Sequence, residues 1–208
     1  MIFIDLGLMD YNEAFQIQLE ALKEVVDGGA ERVFLLEHYP VITLGRNRTA
    51  ANLLVTEKEL QARGVDLVKT SRGGDITCHF PGQLVIYPIL RIEKQPGGLK
   101  QFFLNLESAV ITTLACYGIK AVRKEGRSGV FVQDRKIAST GIGVKKWTTY
   151  HGLALNIFRD LELFELINPC GVSGGKTTSV HLELDSCHPD MATVKNDAAS
   201  AMKNIFMK

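Results

Sequence analysis

The chain has 208 residues, 46% of them hydrophobic, a size and composition that suit one globular domain with a substantial core. Its 24 Lys and Arg balance 23 Asp and Glu, so the net charge of +1 supplies no global field to attract nucleic acid or an acidic membrane. Cys78, Cys116, Cys170 and Cys187 form no Cys-x-x-Cys pair and have no histidine at zinc-finger spacing, which argues against a structural metal.

The opening "MIFIDLGLMDYNEAF" lacks a basic stretch followed by a long apolar one, and no run reaches membrane-spanning length. A reducing cytoplasm is therefore the expected location, where isolated cysteines remain free thiols. Asp10, with Glu13 three residues on, marks a helix start; Phe15, Leu19, Leu22 and Val26 form its apolar stripe, and Gly28-Gly29 stop it. Short β-rich runs come after it: "RVFLLEH", "VITLG", "DLVKTS", "DITCHF" and "QLVIYPIL", with turns at Arg72-Gly73-Gly74 and Pro81-Gly82. A second helix is expected over 99–117, with Phe103, Leu106, Val110 and Leu114 inward and Gly118 ending it. The strands "GVFVQ", "KIASTGIGV" and "HGLALNIF" come next, the first two joined at Asp134-Arg135. A terminal helix over 189–208 carries Val194, Ala198, Ala201 and Ile205 on one face. Helices that bracket blocks of mostly antiparallel strands predict a single α+β domain over 1–208, not a doubly wound parallel sheet.

"LINPCGVSGGKTTS" nearly spells a phosphate-binding loop, but Gly175-Lys176-Thr177 requires glycine at position 170, where the chain has Cys170. The context fails too, since Asn168-Pro169 precedes the run and Pro189 cuts short the segment after it. A rigid Asn-Pro followed by glycine instead suits exposure of a thiol and nearby amides, as a nucleophile requires, although a lone cysteine is more often an inert core residue. An activating cation or base has three candidates: His79 in "CHFPGQ", His151 in "YHGLALN" and Lys136 in "DRKIASTG". Each also has a plain reading, as a strand-end histidine or a solvated lysine beside a turn. The turns flanking His79 suit approach to a carboxyl, carbonyl or phosphate, or are simply hairpin turns.

The blocks "EHYPVITLGR", "RGGDITCHFPGQLVIYP", "KIASTGIG", "YHGLALN" and "INPCG", in this order from Leu6 to about Gly174, resemble the lipoyl(octanoyl) transferases of the biotin and lipoate protein ligase superfamily. The resemblance implies an α+β domain with a mixed, mostly antiparallel sheet flanked by helices. It implies transfer of an octanoyl group from octanoylated acyl carrier protein to a lysine of a lipoyl domain, with Cys170 as the acyl-thioester nucleophile, Lys136 lowering the thiol's pKa and His79 assisting. Acyl-binding positions fall on Arg72, Gly73, Gly74, Asp75, Ile76, Thr77, Cys78 and His79, on Ser139, Thr140 and Gly141, and on Gly152, Leu153 and Ala154. The acceptors implied are the lipoyl domains of 2-oxoacid dehydrogenase E2 subunits and the glycine cleavage H protein. Neither cofactor nor metal is expected, because the acyl group arrives activated and backbone amides can meet an oxyanion. Phe80 stands where the family has glycine and is expected to reshape the pocket beside His79; Asp75 and Cys78 replace the common Gln and Tyr. Arg46, Arg48, Lys145 and Lys146 are candidates for a basic patch facing an acidic carrier protein. Two rival readings are an ATP-dependent lipoate-protein ligase and a non-catalytic acyl-binding module.

Overall fold

A computed structural model describes residues 1–46, 49–93, 97–168 and 176–207. Strand β1 (Ile2–Met9) leads into helix α1 (Tyr11–Val26), where Asp10 accepts hydrogen bonds from the amides of Asn12 and Glu13 at 2.7 and 3.1 Å. Then come β2 (Arg32–His38), β3 (Val41–Leu44), α2 (Glu57–Ala62), β4 (Asp66–Lys69), β5 (Ile76–His79) and β6 (Gln83–Ile89). The second half comprises α3 (Gly98–Ala115), β7 (Val122–Lys124), β8 (Arg127–Val132), β9 (Arg135–Lys145), β10 (Thr148–Asn156), α4 (Val180–Glu183) and α5 (Met191–Phe206). Asp190 caps α5 by accepting from Thr193 N.

Among the described residues, seven strands make the main sheet in the order β1-β2-β6-β10-β9-β8-β7, and β4-β3-β5 form a smaller one. Pairing is antiparallel except between β1 and β2 and between β3 and β4. Strand alternation sets the layers. Val33 and Leu35 of β2, Leu84 and Ile86 of β6, and Leu153 and Leu155 of β10 pack in one core with α3 and α5. Phe34, Leu36, Val85, Tyr87, Tyr150 and Ala154 belong to a second core, against α1 on the opposite face. A third cluster joins the small sheet to α2 and to the 3₁₀ turn Glu162–Leu166.

Three expectations need correction. Strand β1 is not among the expected strands; it is an edge strand that pairs in parallel and carries an irregularity between Asp5 and Gly7, so its sequence shows neither a hairpin turn nor clean alternation. In α1 the buried face is Tyr11, Ala14, Gln18, Ala21, Leu22 and Val25, about one residue from the expected stripe; Phe15 and Val26 only flank it. The β8–β9 turn is Gln133-Asp134, with Gln133 at φ 51°, because Arg135 already belongs to the ladder. No helix among the described residues is long and apolar enough to cross a membrane.

Candidate active site

The site begins with glycines that let backbone approach backbone. A Cβ on Gly152 would lie 2.0 Å from the Ile86 carbonyl oxygen and 2.7 Å from Pro88 Cδ, and one on Gly141 would lie 2.8 Å from the Gly73 carbonyl oxygen. Neither position admits a side chain without movement of main chain. Gly141 and Gly152 are directly paired between β9 and β10, and with Ser139, Thr140, Leu153 and Ala154 they form a shallow floor. The segment from Arg72 to β5 roofs this floor, pinned by Gly73 N donating to Ile142 O at 2.9 Å. Arg72 holds the roof from inside: its Nε and Nη2 donate to Thr43 Oγ1 at 3.1 and 2.8 Å, and its Nη2 also donates to Thr43 O at 2.6 Å.

Between floor and roof lies a cavity of about 600 Å³, counting its open mouth. It takes Ser128 from β8, Lys136 and Ser139–Gly141 from β9, Gly152–Ala154 from β10, Tyr87 from β6 and Tyr11 from α1. It therefore crosses four neighbouring strands, and three strand spacings come to about 14 Å. Ser128 and Lys136 lie on the β8–β9 side of the cavity and Tyr87 on the β6 side, with Tyr11 of α1; His151 pairs with Ile142, six residues along β9 from Lys136.

Beside Lys136, Gly129 sits at φ 106°, and a Cβ there would lie 2.3 Å from Ala138 O and 2.6 Å from Lys136 Cε, so the glycine lets the β9 main chain approach and leaves room for the lysine stem. Lys136 Nζ stands 5.7 Å from the centre of the Phe131 ring. The main chain of Lys136 bonds the strand-like stretch after residue 175: its N donates to Lys176 O at 2.8 Å, and Thr178 N donates to its O at 2.9 Å. On the other side of residues 169–175, Leu53 and Ile167 form an antiparallel bridge, and Asn168 N donates to Asn52 O at 2.8 Å. Asn52 Nδ2 in turn donates to Asp75 Oδ2 at 2.6 Å. Cys170 itself lies outside the described residues, as does Arg48. Lys176 and Thr177 bridge to Lys136 and open no helix, since the next one starts at Val180.

Around Tyr11 and Tyr87 is a buried cluster of imidazoles and phenols. His38 Nδ1 lies 3.1 Å from Met9 O and its Nε2 lies 2.8 Å from Tyr87 Oη. His79 Nδ1 lies 2.7 Å from Gln83 Oε1 and its ring stacks on Tyr11 at 6.2 Å. His151 sits at φ 57°, its N–H turned to Gln18 Oε1 at 2.7 Å and its ring stacked on Phe15 at 5.2 Å. The cause is local. The β6–β10 ladder runs from Asn156–Gln83 to Leu153–Ile86, and beyond it Pro88 has no N–H to offer. A left-handed conformation at a residue other than glycine costs about 1–3 kcal/mol and persists only where its surroundings enforce it, as Gln18 does here. Burial lowers the pKa of His38 to about 4 and those of His79 and His151 to about 3, so all three imidazoles are neutral at physiological pH. Burial also raises the Tyr11 hydroxyl to about 12.

Comparison with known proteins locates this architecture. Residues 10–203 match the model of the lipoyl protein ligase A/B catalytic domain. The octanoyltransferase of Nitratidesulfovibrio vulgaris strain Miyazaki F is 53% identical over 206 residues, 99% of this chain and 94% of that protein. The octanoyltransferase of Maridesulfovibrio salexigens is 49% identical over 207 residues, 99% of this chain and 92% of that protein. The chain belongs to the octanoyltransferase family. It is an acyltransferase, and its fold is shared more widely. A lipoate-protein ligase A structure bound with ATP superposes with TM-score 0.77 at 13% identity, covering 99% of this chain and 85% of that one. The bipartite lipoate protein ligase of Thermoplasma acidophilum gives 0.75 at 14% identity, with 99% and 83% covered.

Within the octanoyltransferase framework, the structure brings Arg72, Gly74, Asp75, Ile76, Thr77, His79, Lys136, Ser139, Thr140, Gly141, Gly152, Leu153 and Ala154 around one cavity. Two of the expected acyl-binding residues do not line it. Gly73 is turned to Ile142 and over Gly141, and Cys78 is fully buried in the third core, where burial pushes its thiol pKa well above the ordinary value. Phe80 does not line this cavity either: it packs in the third core, where its ring meets that of Phe164 edge-on at 5.8 Å. Residues missed by sequence reasoning are Tyr11, Tyr87 and Ser128, while His151, a candidate activator by sequence, pairs with Ile142, six residues along β9 from Lys136. Arg46, Lys145 and Lys146 are exposed.

Proposed function

We propose that the chain transfers an octanoyl group from octanoylated acyl carrier protein to a lysine of a lipoyl domain through a thioester on Cys170. The observation that carries this reading is the fixing of both flanks of residues 169–175: Asn168 is held to Asn52, and Lys176 and Thr178 are held to the backbone of Lys136. Cys170 follows Asn168 by two residues in the sequence, and of these flanking residues Asn168 is tied through Asn52 to Asp75, a residue of the cavity lining.

Lys136 is the cation that favours the thiolate. The thiolate attacks the donor thioester, the phosphopantetheine thiol leaves with a proton supplied by Lys136, and the octanoyl chain occupies the tunnel between Gly141–Gly152 and the roof. About 14 Å between the tunnel ends accommodates an extended octanoyl chain. The lysine amine of the acceptor then attacks the enzyme thioester, an amide forms, and the cysteine leaves as thiolate while Lys136 relays the amine's proton. His79, neutral with its pKa near 3, serves as a hydrogen-bonding wall of the tunnel and not as a proton carrier. Arg46, Lys145 and Lys146 supply positive charge for acidic carrier or lipoyl proteins. The acceptors fitting this reaction are the lipoyl domains of 2-oxoacid dehydrogenases and the glycine cleavage H protein.

Transfer assays with purified octanoyl carrier protein and a lipoyl domain decide the reading. Amide formation without ATP supports it. Formation only from free octanoate plus ATP would assign a ligase, and retention of the acyl group without transfer would assign a binding module.

A further inference from the structure

The hydrogen-bond polarity of the tunnel's far wall can be worked out from two backbone carbonyls. Asn156 Nδ2 lies 2.9 Å from Thr178 O, which only accepts, so Asn156 presents Oδ1 on its other side. Gln83 Nε2 donates to that Oδ1 at 3.0 Å and to Cys78 O at 3.3 Å, so Oε1 is the atom 2.7 Å from His79 Nδ1. An acceptor there requires His79 to carry its proton on Nδ1, which leaves Nε2 as an acceptor. His38 is fixed the same way: Nδ1–H donates to Met9 O, Nε2 accepts, and the Tyr87 hydroxyl must therefore spend its proton on His38. No described residue bonds His79 Nε2, and His79 lines the cavity. The chain His79, Gln83, Asn156 and Thr178 is anchored at its far end on Lys136 O.

From this wiring, and resting on the reading that octanoyl lies in this tunnel, we infer that the tunnel also takes octanoyl chains bearing a hydrogen-bond donor, an alcohol, toward the tail. His79 Nε2 is the acceptor that meets the donor, and Gln83 and Asn156 are positioning residues that hold the imidazole in the required tautomer. The neutral state of the imidazole, a consequence of burial, keeps the lone pair available across physiological pH. The alcohol trades a bond to water for one to a buried acceptor, whereas a purely apolar wall would leave it unpaired.

Two measurements test this. ¹⁵N spectra of the wild-type imidazoles at neutral pH should show His79 with a protonated Nδ1 and an unprotonated Nε2; an Nε2–H tautomer, or rapid exchange between the two, overturns the inference. Acyl transfer from ω-hydroxyoctanoyl and octanoyl carrier protein is then compared. In wild type the two rates should agree within roughly tenfold. In His79→Phe the hydroxylated chain should lose a further tenfold or so relative to octanoyl, the worth of one buried hydrogen bond. An unchanged ratio in the variant overturns the inference. If wild type transfers neither chain, the proposed function fails, while the imidazole spectrum still decides the polarity of the wall.

Discussion

Gly152→Ala is the substitution that the tunnel floor tolerates least. The new methyl group would stand 2.0 Å from Ile86 O and 2.7 Å from Pro88 Cδ, a carbonyl on one side and a closed ring on the other. Neither can rotate away, so β10 must separate from β6 by roughly an ångström at the centre of the sheet, where packing is densest. Overpacking of this kind costs about 1–3 kcal/mol. For a chain of this size each kcal/mol lowers the melting temperature by about 2–4 °C, giving a fall of about 2–12 °C by calorimetry. Because Gly152 also pairs with Gly141 beneath the roof, the same shift should raise the KM for octanoyl carrier protein. A melting temperature within about 1 °C of wild type, with unaltered KM, would refute the claim that Gly152 is required by the approach of β6.

Stability should respond to pH through the histidine cluster. His38, His79 and His151 have folded pKa values of about 4, 3 and 3, below the ordinary 6.5, so the unfolded chain binds more protons than the native one as pH falls below 6.5. Their contribution is complete above 6.5 and declines by up to about 2 kcal/mol per imidazole by pH 5, above the window of the lowered Asp5 and Glu183 carboxyls. Urea midpoints flat from pH 7 to 5 would contradict this. Lys136→Ala should slow acylation at neutral pH by about 10²-fold and recover in part at alkaline pH, where the thiolate forms unaided; equal loss at every pH would give the lysine another role. Phe80→Gly should destabilise by about 3–5 kcal/mol through loss of a buried ring, yet leave the preference among acyl chain lengths unchanged when donors are compared below the melting transition. A shift in that preference would place Phe80 in the pocket.

How much of the fold and site is legible in the sequence depends on how local each signal is. Asp10 as a cap, the glycine stops and the alternating strands are set by neighbours in the chain, and they appear where expected. Counting apolar residues misjudges the face of α1 because it selects Phe15 and Val26, whereas the sheet needs small Ala14 and Ala21 beside it and takes Gln18 inward to satisfy His151 N. The glycine-rich motifs mark the floor and roof of the tunnel through the backbone contacts they permit. Tyr11, Tyr87 and Ser128 are not legible, since each belongs to an ordinary helix or strand pattern and joins the site only through the strand order. Adjacency to His79 assigns Phe80 to the pocket, but successive residues at a strand end face opposite ways, and its ring goes to Phe164.

The central claim is that the acyl group passes through Cys170, with Lys136 as the cation that favours its thiolate. It is tested most directly by trapping the enzyme with octanoyl carrier protein in the absence of acceptor and mapping the adduct by tryptic mass spectrometry. The account predicts an octanoyl increment on the peptide spanning 160–176, abolished in Cys170→Ala and discharged when a lipoyl domain is added. An octanoyl group on the peptide containing Cys78, or transfer to the lipoyl domain that persists in Cys170→Ala, would contradict it.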